Sequence, residues 1–208
     1  MTPLRFFAAR LMRNEDMLAS LSVAPETLLS ALKGKSVALI GNARALANGT
    51  AGAEIDAHDV VVRINLAPMP DAMSHGSRTD WLGLATRIGR ADRTRIAPGR
   101  ILWMSHKRKR LDRISATSPG FYLHPIAAFN KLAETLGAPP TTGAMLIALL
   151  LKSDLTRLDL YGFDFFASKS LSGGRSAEQV PHDFSAEAAW VEAIRQRDPR
   201  LHLHPPVA

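Results

Sequence analysis

Cysteine is absent from the 208 residues. Disulfides and thiolate metal sites are therefore excluded, and a reducing, cytoplasmic setting is expected. Long apolar runs are also missing. The longest, Ala144 to Leu151, has eight residues, far short of the roughly 20 that a membrane span needs. The stretch Met1 to Leu21 lacks the continuous apolar core and small-residue cleavage site of a secretory signal. No Gly-x-Gly-x-x-Gly follows the first strand, where the run is Gly41-Asn42-Ala43-Arg44, so a nucleotide-dependent dehydrogenase is a poor reading. The most basic stretch, His106 to Arg113, carries no interleaved aromatics and belongs to no recognised binding module. Nucleic acid is accordingly not an expected partner.

What is present is an ordinary globular composition, with 46% hydrophobic residues and a formal net charge of +7. The length fits one large domain. The charge suggests an anionic partner without choosing among nucleotide, acidic glycan and membrane surface. Met1 to Leu21 places Arg5, Arg10 and Arg13 among Phe6, Phe7, Leu11 and Met12. It reads as an amphipathic helix within an N-terminal helical segment, 1–34, packed on the domain 35–208, with weak membrane-surface contact as the alternative use of that helix. His106 to Arg113 reads as a solvated face or as an anion site.

Short runs rich in Val, Ile and Leu predict strands at Ser36–Ile40, Asp59–Ile64, Asp80–Ala85, Arg100–Ser105 and Arg157–Tyr161, with a last short strand in LHLH. Between them, helices are expected from Pro25 to Gly34, from Pro125 to a stop at Gly137, from about Gly143 to Lys152 and from about Ser185 to Arg197. Alternating strands and helices imply an α/β fold with a largely parallel sheet. Pro68–Arg78 and Ala167–Pro181 read as loops; the second, with Gly173-Gly174, is a candidate lid.

Ligands of open parallel sheets bind beyond the carboxyl ends of the strands, and the polar residues cluster there. Gly41-Asn42 follows the first strand, combining close backbone approach with an amide that both donates and accepts, although a plain turn is the ordinary reading. Asn65 closes VVVRIN and either caps the next segment or faces a pocket. Thr141-Thr142-Gly143 heads an apolar helix whose free N–H groups suit a phosphate; an ordinary N-cap by Thr142 is the plainer alternative. His182, before Asp183 and Glu187, can act as a base near neutral pH or simply be a surface histidine.

Together these residues resemble a known family. VALIGNARALANGTAGAEIDAHDVVVRINLAP, Val37 to Pro68, resembles the large sialylmotif of glycosyltransferase family 29, the sialyltransferases. PPTTGAMLIALLLKSDLTRLDLYGF, Pro139 to Phe163, resembles the small sialylmotif, and HDFSAE, His182 to Glu187, has the His-x4-Glu form of the very small motif. The resemblance implies a Rossmann-like, three-layer variant of the GT-A class. It implies an inverting, metal-independent transferase that moves sialic acid, or the related sugar Kdo, from its CMP-activated form to a glycan hydroxyl. No cofactor is implied beyond the CMP-sugar itself, and no convincing Asp-x-Asp metal motif stands beside a strand end. By the same resemblance Asn42 and Asn65 contact the donor nucleotide, and Gly41 belongs to that turn. Thr141, Thr142 and Gly143 bind the cytidine part, Gly162 lies against the nucleotide, His182 deprotonates the acceptor, and Glu187 supports the local structure.

Four departures stand out. The large-motif cysteine falls at Val37 and the small-motif cysteine is missing too. Ala43 replaces a serine. The His-Tyr motif has no match between Phe163 and Pro181, which leaves Lys169 or Arg175 to meet the donor phosphate. The chain is also shorter than animal catalytic domains, and its bacterial look keeps Kdo alongside sialic acid. These departures motivate a second class of reading: a non-catalytic accessory or nucleotide-binding protein that keeps the fold. Short bacterial proteins of this look carry accessory names tied to urease operons, although no residue here speaks to urease.

Overall fold

The computed structural model describes residues 1–165 and 181–205. The expected lid loop, with Lys169 and Arg175, lies outside the described residues except for Pro181. Seven strands form one sheet: β1 Ser36–Ile40, β2 Val60–Ile64, β3 Trp81–Leu84, β4 Arg100–Trp103, β5 Tyr122–Leu123, β6 Arg157–Tyr161 and β7 Leu201–His204. Their order is β5-β4-β3-β2-β1-β6-β7, and every neighbouring pair is parallel. The chain winds outward from β1 to β5, then returns to the far side of β1 for β6 and β7. Adjacent crossovers part between β1 and β6, which makes that gap the topological switch point.

Period-two alternation sorts the strand residues onto two faces. On one face Val37, Leu39, Val60, Val62, Leu102, Tyr122, Leu158, Leu160 and Leu201 meet Leu28, Leu32, Leu132, Leu136, Val191 and Ile194 from flanking helices and their ends. The helix Thr142–Leu150 is buried along almost its whole length there. It approaches the sheet closely at Gly83, where an added Cβ would lie 2.6 Å from Leu146 Cδ1. The opposite face splits in two. Phe6, Ala9 and Leu18 cover Leu82, Leu84, Ile101 and Trp103, while Leu46 and Ile55 cover Ala38, Ile40, Val61 and Tyr161. The result is the expected Rossmann-like, three-layer α/β fold, with a sheet that is wholly parallel.

Several expectations change. The N-terminal stretch is two helices, Pro3–Met12 and Glu15–Ala19. Arg13 turns left-handed at φ 54° and the Asn14 side chain caps the second helix through Met17 N–H. Pro68–Arg78 is more than a loop. It contains a one-turn helix, Ala72–His75, capped by Asp71. Arg63 pins this stretch to β2, donating to the carbonyls of Arg78 (2.8 Å) and His75 (2.7 Å). Its guanidinium is buried, and that burial lowers its pKa to about 10. In the basic run, Arg108 is neither solvated nor free: it is buried, it grips both carboxylate oxygens of Glu15, and it donates to the carbonyls of Ser105 and His124.

Candidate active site

The carboxyl ends of β1, β2, β3 and β6 and the head of the apolar helix enclose a cleft of about 280 Å³. All nine residues singled out in the sequence line it: Gly41, Asn42, Asn65, Thr141, Thr142, Gly143, Gly162, His182 and Glu187. They come from segments up to 146 positions apart (Gly41 to Glu187), so their convergence is a product of the fold.

At the switch point the backbones of Gly41 and Gly162 touch. Gly41 N–H donates to the Tyr161 carbonyl (2.7 Å) and Ala43 N–H to the Gly162 carbonyl (3.2 Å). A Cβ on Gly41 would fall 2.2 Å from the Gly162 oxygen, and Gly162 itself holds a positive φ of 67°. A side chain is excluded at Gly41; at Gly162 one would be strained by the positive φ and crowded, with its Cβ 3.1 Å from Leu46 Cδ2 and 3.2 Å from the Gly41 oxygen. Asn42 donates from Nδ2 to the Ile64 carbonyl at 3.5 Å, which links β1 to β2. Asn65, left-handed at φ 53°, accepts from Ala85 N–H through Oδ1 (3.0 Å). Of the two readings of Asn65 the pocket is the one this geometry meets: the residue lines the cleft, and its side chain ties down the exit of β3 rather than capping the segment that follows it.

The helix start differs in detail from expectation. Thr141, not Thr142, is the N-cap, accepting from Ala144 N–H at 3.1 Å. Thr141 is in turn held by Glu187, which accepts from its N–H (2.7 Å) and its hydroxyl (2.8 Å). Glu187 is buried. Burial pushes its carboxyl pKa up, against the two bonds from Thr141 that favour the charged form. Among the described residues the N–H groups of Thr142 and Gly143 have no protein partner, so the helix offers two donors to an anion.

His182 is half-buried at the head of the helix Phe184–Arg195. Its Nδ1 lies 2.7 Å from the Pro139 carbonyl. A carbonyl only accepts, so Nδ1 carries the proton and a neutral ring keeps its lone pair on Nε2. Glu187 makes no hydrogen bond to His182; the orienting partner is the Pro139 carbonyl. Sequence reading missed the aromatic walls, Phe163, Phe165 and Phe184. The Phe163 ring packs so closely that a Cβ on Gly143 would sit 2.7 Å from it. The signal was present, since two of the three stand in the quoted motifs YGF and HDF. Among the described residues, neither lysine nor arginine lines the cleft.

A second polar cluster lies on the other face of β6. Asp159, fully buried, accepts from His58 Nε2 (3.0 Å), Arg157 and His204. Burial alone would raise its carboxyl, but these three partners outweigh it and hold it well below the usual carboxylate range. The same bond to Asp159 raises the pKa of His58. None of these residues lines the cleft.

An all-parallel, doubly wound sheet with a cleft at its switch point defines the class: a Rossmann-like α/β protein whose cleft lies where such folds bind ligands. Comparison then shows what the chain is similar to. The model of glycosyltransferase family 29 (sialyltransferase) matches residues 5–87. A mammalian sialyltransferase shares the fold at TM-score 0.65 and 18% identity, with 97% of this chain and 84% of that chain covered. A mammalian sialyltransferase in complex with Gal-beta-1-3GalNAc-ortho-nitrophenol matches at 0.64 with the same identity and coverage. A mutant of the alpha-2,3/8-sialyltransferase CstII matches at 0.55 and 13%, covering 81% of each chain. No curated protein matches the chain in sequence. The chain is thus sialyltransferase-like, in its family match and in its fold.

Proposed function

We propose that the protein is an inverting glycosyltransferase that moves sialic acid or Kdo from its CMP-activated form to a glycan hydroxyl. One observation carries the reading: the fold gathers into one cleft at the switch point a histidine with a fixed tautomer and two helix-start N–H groups, of Thr142 and Gly143, that have no partner among the described residues. In the reaction, His182 Nε2 takes the acceptor hydroxyl proton as that oxygen attacks the anomeric carbon. The bond from that carbon to the phosphate oxygen breaks, and CMP leaves with the electron pair from the opposite face. The N–H groups of Thr142 and Gly143, with the helix dipole behind them, meet the growing phosphate charge, so the step as drawn calls on no metal ion. Asn42, Asn65 and Gly162 hold the nucleotide, and Phe163 supplies an apolar wall.

The test is calorimetric titration with CMP, CDP, UMP and AMP in EDTA, repeated on Asn42→Ala. Selective CMP binding, weakened in the variant, is expected, followed by turnover of CMP-sialic acid or CMP-Kdo. Absence of any preference for cytidine would remove the donor-site reading. CMP binding without turnover of either sugar would leave a nucleotide-binding protein.

A further inference from the structure

The helix Pro3–Met12 has two apolar faces. Phe6 and Ala9 are fully buried against the sheet. Leu4 (80% exposed), Phe7 (49%) and Leu11 (68%) follow i, i+3, i+7 spacing and form one outward stripe, with Met12 beside it at 67%. At 100° per residue, Arg5 and Arg10 flank that stripe on either side. Arg10 is fixed there: its NH1 donates to the Leu111 carbonyl (3.2 Å), and its guanidinium sits 5.0 Å from the Phe7 ring centre.

The basic turn Arg108–Arg110 packs against this helix. Arg108 is consumed by Glu15, while Lys107, Lys109 and Arg110 remain exposed. Arg13 is exposed as well, and Asp16 is the exposed acid of the two N-terminal helices. An apolar stripe rimmed by cations matches the interfacial plane of an anionic bilayer: apolar side chains enter the acyl boundary and cations meet the headgroup phosphates. A partner protein's core would not call for the cationic rim, so charge complementarity selects the lipid surface.

We propose that this face docks the protein on anionic membranes. It is joined to the cleft: Arg87, two residues beyond the cleft-lining Ala85, donates to the carbonyls of Arg110 (2.8 Å) and Lys109 (3.3 Å). The test is co-sedimentation of the full chain with phosphatidylcholine vesicles, with and without phosphatidylglycerol. Sedimentation only with the anionic vesicles, reduced by high salt, is expected. The triple variant Leu4→Ser, Phe7→Ser, Leu11→Ser should abolish it while the protein stays folded with only a small drop in melting temperature, because Leu4 and Leu11 are largely exposed and Phe7 is half so. Reversal of Lys107, Lys109 and Arg110 to Glu should weaken it by more than about tenfold. Failure to sediment with either vesicle overturns the proposal, as does equal sedimentation with both. A dimer seen by light scattering and lost in the serine variant overturns it too, by showing that a second copy covers the stripe. CMP titration of the serine variant reads the cleft separately, so failure of docking and failure of the proposed function remain distinct.

Discussion

The cleft and the cluster around Asp159 hang on the same strand, β6, and they invert the usual relation between appearance and use. The cluster looks catalytic: a buried carboxylate flanked by two histidines and an arginine. Yet both ring nitrogens of His58 face acceptors, Nδ1 the Glu54 carbonyl (2.9 Å) and Nε2 Asp159 (3.0 Å), so neither is turned towards a substrate proton, and the bond to Asp159 raises its pKa. The cleft histidine is held by a neutral carbonyl, which orients the ring and selects the tautomer without adding charge. A base needs direction more than it needs a negative neighbour. The Asp159 cluster ties β6 and β7 to the helix Gly52–Ala57, whose carboxyl end leads into His58.

The sharpest way to break this contrast is His182→Ala. Turnover should fall by about 100- to 10,000-fold with CMP affinity retained; unchanged turnover in a sugar-transfer assay would end the base assignment. Next in size, Asp159→Ala should destabilise the fold by up to about 3 kcal/mol in urea unfolding, because it leaves Nε2 of the buried His58 without its acceptor. Turnover per folded molecule should not change, and a parallel loss would move the cluster into the active site. Glu187→Ala strips the partner from Thr141 N–H and hydroxyl, at a cost of about 1–3 kcal/mol, with CMP affinity reduced through a loosened helix start.

The smallest effect is one of pH. His58, with its raised pKa, contributes stability that is fully present below its ordinary 6.5 and is lost as pH rises through the raised value. His58→Gln should therefore cost more stability near pH about 5.5 than near about 8.5. His124 behaves oppositely. Burial lowers its pKa to about 4, so the unfolded chain takes up a proton the fold refuses as pH falls from 6.5 towards that value. Replacing His124 should flatten this acid-side loss in the same unfolding series.

Strand bounds were legible where a continuous apolar run met a glycine: Ser36–Ile40 and Arg157–Tyr161 fall where the sequence put them. Two-residue β5 and the short helices at 52–57, 72–75, 90–96 and 113–116 were not, since one or two turns carry too little periodicity to register. The Asn, Gly, Thr and His positions of the cleft were legible through the motif resemblance. Their interlocking was not, because Glu187 meets Thr141 across 46 positions and His182 meets Pro139 across 43. The net charge has a structural share as well. Arg63, Arg78, Arg87, Arg95, Arg108 and Arg200 each donate to two or more backbone carbonyls. Six of the 26 basic side chains are thus tied to the backbone as scaffolding, as the planar guanidinium fork allows, two of them, Arg63 and Arg108, buried.

The contact of Gly41 with Gly162 bears on how a mutational scan of this protein would read. Gly41 would score as intolerant to every substitution and Gly162 as strongly disfavouring them, and both line the cleft, so a fitness map would colour them as chemistry. At Gly41 the cause would be the Gly162 peptide plane, which leaves no room for a methyl group, and at Gly162 the positive φ and the close neighbours Leu46 and Gly41. Altering nucleotide preference by directed evolution would therefore have to proceed through Phe163, Phe165 and Phe184, whose side chains can change size while the glycine hinge stays as it is.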